Sequence, residues 1–278
     1  MRRVGILLLA LAVMAGSIAA SAPRTERMFS QPTETAVPET VLLRQPVDGW
    51  QDSYLAFMQS NYDIFTALWP DGIGGVGFID LDLDGTPEMV VFDSGASAAM
   101  GVQLFDLVDG QVYCVSSTLD SAAGAFDSTY LSATSVCTSF FEAFRLSRTE
   151  NGWCFWVDSS NGTMETSWDE VVRFGSSSGA LAPMSVCYRY LEFDPASGLV
   201  VAESYTVAGA ASDGAGYQAA ADIYQEGQDT GYNAKGVFLS DDFERYGAGY
   251  EGFVAMVQDA LSAYAPIVDT VTLASTVG

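Results

Sequence analysis

The chain of 278 residues contains no histidine, and Lys235 is its single lysine. The first absence excludes Ser-His-Asp and Cys-His nucleophilic catalysis, and histidine-ligated zinc with them. Cysteine is scarce and scattered: Cys114, Cys137, Cys154 and Cys187, with no C-x-x-C. That spacing excludes a clustered thiolate metal site. The four thiols leave two readings open. An oxidising compartment permits two disulfides in three possible pairings. The run Trp153-Cys154-Phe155-Trp156 suits buried free thiols instead. Basic charge is also in short supply, with 11 Lys and Arg against 35 Asp and Glu, a net of −24. Nucleic acid and anionic membrane surfaces are therefore excluded as partners, and cations are favoured. Much of this acidity serves solubility. Beyond the N-terminus no apolar run is long enough to cross a bilayer, which takes about 20 residues.

What is present begins with an export signal. Arg2 and Arg3 precede an apolar run from Val4 to Ala15, and Gly16, Ser17, Ala19, Ala20, Ser21 and Ala22 follow. A basic start, a short apolar core and a small-residue cleavage region make a secretory signal over residues 1–19. Cleavage is expected after Ala19, because Pro23 directly follows the alternative site at Ala22. No cysteine follows the run, so no lipid anchor is expected. Loss of Arg2 and Arg3 takes the balance from 11 to 9 cations against 35 carboxylates. The mature form is expected to be secreted and extracellular, without membrane contact.

Residues 20–46 carry Pro32, Pro38 and Pro46 among Thr, Glu and Gln. They cannot bury a core and read as a disordered linker. Residues 47–278 suit one large domain. Tyr54, Met58, Tyr62 and Phe65 recur at helical spacing, which predicts a helix over 51–68, stopped at Pro70. Strands are expected at Val76–Leu81 and Met89–Phe92. Val102–Val108 and Val112–Ser116 flank Asp109-Gly110, a hairpin turn. Further hairpins are expected from Phe140–Leu146 with Trp153–Val157, and from Val186–Phe193 with Leu199–Val207. Phe253, Val257, Leu261 and Tyr264 form one face of a C-terminal helix ended by Pro266. The reading is α+β: an antiparallel hairpin sheet flanked by an N-terminal and a C-terminal helix.

The most informative stretch is Asp80-Leu81-Asp82-Leu83-Asp84-Gly85-Thr86-Pro87-Glu88, which reads D-x-D-x-D-G-x-x-E. A calcium ion takes six to eight oxygens. Alternate aspartates converge on it when the backbone coils, and Gly85 permits the bend. Asp80, Asp82, Asp84 and Glu88 supply carboxylates, and Thr86 its backbone carbonyl. Four carboxylates this close repel one another without a cation. The loop at 80–91 resembles that of EF-hands, and more closely the shortened forms in dockerins and integrin-type FG-GAP repeats. The resemblance implies bound Ca2+. It departs from the EF-hand in carrying Val91 where the bidentate Glu stands, and in having strand-like flanks. These departures remove a calmodulin-like sensor. The helix, strand, loop and strand together are similar to secreted bacterial proteins, a likeness that implies no activity.

Other motifs compete. Asp82-Leu83-Asp84-Gly85-Thr86 resembles the D-x-D-G-T of haloacid-dehalogenase-type phosphatases. That resemblance implies Asp82 as nucleophile, Asp84 as acid/base and bound magnesium, with Lys235 and Asp241-Asp242 matched to later motifs. Asp80 inside the strand, Pro87-Glu88 after it and the hairpins downstream oppose this fold. Gly72–Gly77 matches G-x-G-x-x-G but opens no helix, so a dinucleotide site is excluded. Gly175–Gly179 matches G-x-S-x-G, but Ser177 has no histidine base. Glu142, Glu165, Asp169 and Glu170 are glycosidase candidates without a distinguished pair. Trp153, Trp156 and Trp168 suit core packing before a sugar platform. Asn161-Gly162-Thr163 is a glycosylation sequon, meaningful only in a eukaryotic secretory pathway. The expectation is a non-catalytic extracellular binding or surface-interaction module with a structural calcium loop. Its candidate partners are cations, an extracellular protein or a glycan.

N-terminal sequencing of protein recovered from the host's medium should therefore read from Ala20. An intact Met1 on a membrane-bound form would refute the export signal.

Overall fold

The computed structural model describes residues 46–68, 73–93, 99–115, 131–134, 144–149, 152–225, 228–229, 232, 236–238, 246–247 and 249–267. The signal segment, nearly all of the linker, Cys137, Glu142, Lys235 and Asp241-Asp242 lie outside the described residues.

Among the described residues the chain is α+β, with all strand pairs antiparallel, as the hairpin signals predicted. The strands divide over two sheets where the sequence suggested one. The first holds β1 (Ile73–Ile79), β2 (Glu88–Asp93), β3 (Ala99–Val108), β4 (Gln111–Cys114), β5 (Leu131–Thr134) and β13 (Gly236–Phe238). Its order is β13-β1-β2-β3-β4, with β5 also on β3. The second holds β6 (Arg145–Thr149), β7 (Gly152–Gly162), β8 (Thr166–Ser177), β9 (Ala180–Phe193), β10 (Val200–Val207), β11 (Ala210–Ser212) and β12 (Gln228–Asp229). Its order is β11-β10-β9-β8-β7-β6-β12. The helices are α1 (Trp50–Ser60), α2 (Tyr62–Leu68), α3 (Gly214–Gln225) and α4 (Gly249–Ala263).

Strand alternation explains the stacking, because successive side chains point to opposite faces. Ile79, Val90 and Leu104 of the first sheet share a buried cluster with Phe155, Val157, Val172 and Phe174 of the second. Val76, Phe78, Met89, Val91 and Phe105 take the opposite face and pack on α1, α2 and α4 through Tyr54, Met58, Phe65 and Val257. The second sheet turns Trp156, Val171 and Cys187 outward, where Ala220 and Ala221 of α3 cover them. The layers therefore run helices, sheet, sheet, helix. A sheet apolar on both faces needs this double cover.

Local chemistry fixes the element ends. The helix predicted over 51–68 breaks at Asn61, whose Nδ2 donates to the Phe57 carbonyl at 2.8 Å. The carbonyl of Asn61 in turn accepts from Ile64 and Phe65, starting α2. Such side-chain competition with the backbone is why Asn ends helices. The turn Asp109-Gly110 has φ of 51° and 77°, and Ser178-Gly179 repeats it at 56° and 81°. Both are the doubly left-handed geometry that suits a two-residue hairpin. Helix α3 was not anticipated, because Gly214-Ala215-Gly216 reads as loop. Asp213 caps it, accepting the Gly216 N–H at 2.8 Å. Cys187 is a fully buried thiol, its pKa pushed up to about 11, chiefly by burial, and so is unreactive.

Phe155→Ala should lower the unfolding free energy by about 3–5 kcal/mol, since it empties the middle of the inter-sheet core. Met164→Ala, on a turn where the side chain is exposed, should stay within about 0.5 kcal/mol of wild type. Chemical denaturation of the two variants checks the assignment of layers.

Candidate metal centre

The predicted acidic loop joins β1 to β2, which pair as a hairpin in which Ile79 faces Glu88. Asp80 leaves the end of β1, and Glu88 opens β2. Between them the backbone coils, with Leu83 at φ 61° and Gly85 at φ 102°. Gly85 relieves the second of these bends, where a side chain would be strained. Leu81 and Leu83 anchor the coil: both are buried in the core between the sheets. The alternate residues are thereby turned the other way, and these are the aspartates.

One ligand oxygen each from Asp80, Asp82 and Glu88 lies within 4.8 Å of the others. The three carboxylates are almost wholly buried, at 7, 4 and 1 % exposure. The backbone tightens around them. The Leu81 N–H donates to Glu88 Oε2 at 2.5 Å, and the Gly85 N–H to Asp80 Oδ2 at 3.1 Å. Asp80 Oδ1 is buried without a hydrogen-bond partner. A buried oxygen left so is costly unless a cation or water meets it.

Of the five residues expected to hold an ion, the fold brings these three together. Asp84, half-buried, lies beside the trio, and its charge bears on Asp82 and Asp80. Its Oδ1 accepts the Thr86 N–H at 2.7 Å, and its own N–H donates to Asp82 Oδ1 at 3.1 Å. Thr86 is buried beside them. Val91, where an EF-hand carries its bidentate Glu, packs in the helix-side core.

Two participants escaped the sequence reading. Asp106 of β3 is buried, and its charge bears on Asp82 and Glu88. Its Oδ2 accepts the Leu181 N–H of β9 at 2.7 Å, so it also ties the two sheets together. Ser176 of β8, itself exposed, lies near enough to Asp82 to favour its charged form slightly. Neither residue is close in sequence to the loop, and Asp106 looks like an ordinary polar strand position. Ser176 belongs to the G-x-S-x-G match, which is a strand end running into the hairpin turn at Ser178-Gly179.

The electrostatics follow from burial. Asp80 is pushed up to about 8, first by desolvation and then by the charge of Asp82. Asp82 is pushed up to about 7, by desolvation and then Asp84. Burial also raises Glu88 well above the usual carboxylate range, and raises Asp106. Such a group binds protons readily when no other cation is present, and a divalent ion satisfies it better. The donors are all hard oxygens, the set that Ca2+ and Mg2+ take. The cluster can therefore hold a metal ion, and its residues fit one.

The other candidates separate. Trp156 is core, its Nε1 donating to Ser147 Oγ at 3.0 Å. Trp153 packs beside the inter-sheet core, and Trp168 stacks on Tyr188. Asp169 pairs with Arg189. Glu165 sits on an exposed turn, while Glu170 is buried. No protein-family model matches this chain, and no curated protein or solved structure matches it either.

The raised carboxylates set a pH dependence. In the unfolded chain they titrate near 4, and in the folded, metal-free protein near 7 to 8 for Asp82 and Asp80. The folded state thus holds protons that the unfolded state releases. Their stability contribution is complete below about pH 4 and is lost as pH rises through the folded values. In chelator, the melting temperature should fall between about pH 5 and 8, and Asp80→Asn should flatten that fall. A metal-free protein that gains stability across this window would contradict the arrangement.

Proposed function

We propose that the loop holds one calcium ion in a structural role. In this reading the chain is a secreted acidic protein that works as a non-catalytic extracellular binding or surface-interaction module. The observation that carries the calcium site is the buried trio Asp80, Asp82 and Glu88, with Asp80 Oδ1 left unpartnered. Four carboxylates within nine residues, and Asp106 beside them, give the negative charge a dication needs. The irregular coil between Asp80 and Glu88 suits calcium, which tolerates irregular geometry, better than octahedral magnesium.

Three features favour the structural role over the phosphatase alternative. The loop closes an antiparallel hairpin rather than leading from a parallel strand into a helix. The carboxylates of Asp80, Asp82 and Glu88 are almost wholly buried. A hydrolytic centre also needs an open coordination position and a proton-transfer group. The chain has no histidine for the second, and its one lysine is distant in sequence. The ion's contribution here is to offset repulsion among the ligands, so that β1 and β2 stay paired under the second sheet. Export rests on the N-terminal signal, and the surface charge suits an extracellular setting.

Calcium should raise the melting temperature, with a gain of about 2.7 kcal/mol at a hundredfold excess over the dissociation constant. Magnesium should do so less. Asp82→Asn should abolish the calcium response, and neither protein should hydrolyse a phosphate ester. Magnesium-dependent hydrolysis by wild type, lost in a folded Asp82→Asn, would put the phosphatase reading in its place.

A further inference from the structure

The β9–β10 hairpin runs into solvent beyond the layers that cover the rest of the second sheet. Residues 199–204 are all exposed, and three consecutive apolar residues stand there: Leu199, Val200 and Val201, at 68, 49 and 63 %. β10 pairs with β9 along its inner side, from Val200 to Val207. On its outer side β11 covers only Tyr205, Thr206 and Val207. Among the described residues nothing pairs with the outer edge of residues 200–204. The register shifts between Val200 and Ala202, which places Val201 at a bulge.

Soluble proteins protect such an edge with lysine, proline, a bulge or a cover, since its free N–H and C=O groups template another strand; the one bulge here leaves Ala202 to Val207 in regular register. Here the exposed segment has neither lysine nor proline. An open edge with exposed apolar side chains is the surface that β-strand addition uses: backbone bonds give affinity and alternate side chains give selectivity. Charge indicates the occupant. From Leu191 to Asp213 there are four carboxylates, Glu192, Asp194, Glu203 and Asp213, and no basic residue. Joining two such edges would bring together copies that each carry 35 carboxylates against 11 cations, or 9 once Arg2 and Arg3 are removed. A strand with cationic side chains has the opposite preference.

We infer that the outer edge of β10, Val200–Ser204, docks an extended segment of a partner protein in which apolar and basic side chains alternate. The segment adds a strand to the second sheet: its basic side chains take the face that Glu203 shares with Val200, and its apolar side chains take the opposite face, beside Ala202 and the bulged Val201. This deepens the binding-module reading and rests on it, but it is independent of the calcium loop.

The probe is a synthetic octapeptide of alternating Val and Lys, titrated into the mature chain with calcium present. A Val/Glu octapeptide controls for charge, and a Val/Lys peptide with a central proline controls for strand pairing. The Val/Lys peptide should bind and slow amide hydrogen exchange in residues 200–204, while both controls fail. Val201→Asp and Glu203→Lys lie on the exposed hairpin and should keep the fold, and each should weaken binding about tenfold, equivalent to about 1.4 kcal/mol. No binding at millimolar peptide overturns the proposal. So does binding that leaves these amides unprotected or survives Val201→Asp, which is non-specific attraction to an acidic protein. A concentration-dependent dimer abolished by Val201→Asp also overturns it, because the occupant is then a second copy. Loss of the calcium response in Asp82→Asn with peptide binding retained separates this surface from the metal centre.

Discussion

The arrangement turns on mutual repulsion among carboxylates sealed inside the molecule. Asp80, Asp82 and Glu88 meet where the β1–β2 turn dips between the sheets, with Asp106 arriving from β3. Their burial is forced by the leucines between them. Leu81 and Leu83 belong to the inter-sheet core, so the coil cannot swing out to let the acids reach water without losing apolar contact. Charge and hydrophobicity are thus set against each other within nine residues. A proton or a metal ion resolves the conflict, and the raised proton affinities record how strongly it presses.

The same place links the sheets. Ser176 of β8 lies near Asp82, and the Leu181 N–H of β9 donates to Asp106. Both belong to the hairpin that turns at Ser178-Gly179. The two sheets are therefore joined by a buried polar contact, the Leu181 N–H to Asp106, as well as by packing. Buried hydrogen bonds to charged groups are worth more than neutral ones, which makes this junction a matter of orientation rather than of area.

Much of the local structure was legible in the sequence because its signals are local. The Asp109-Gly110 turn, the spacing of Tyr54, Met58 and Phe65, and the D-x-D-x-D-G run each carry their own physics within a dozen residues. Asn61 was missed because one capping side chain outweighed an unbroken apolar stripe. Helix α3 was missed because its first turn carries two glycines and its stability comes from packing on Trp156 and Cys187. The division into two sheets was hidden for a deeper reason. Alternation tells which residues share a face, and it does not tell what covers that face. For the same reason the loop exposed three of its clustered carboxylates to sequence reasoning, while Asp106 and Ser176, brought in by tertiary contact, gave no signal.

The pairing of β1 with β13 joins residues 75–77 to residues 236–238. A chain emerging from its N-terminus makes the first of these strands early and must wait for nearly everything else before the second arrives. Contacts so far apart in sequence carry a loop-closure penalty and slow folding. Helix α4, which packs on that same sheet, arrives later still. The first sheet consequently remains incomplete, with an open edge and an apolar face that α1 and α2 cover only in part, until synthesis is almost finished. Truncation anywhere before residue 236 should leave a chain that the proteolytic machinery treats as unfolded, however complete its second sheet.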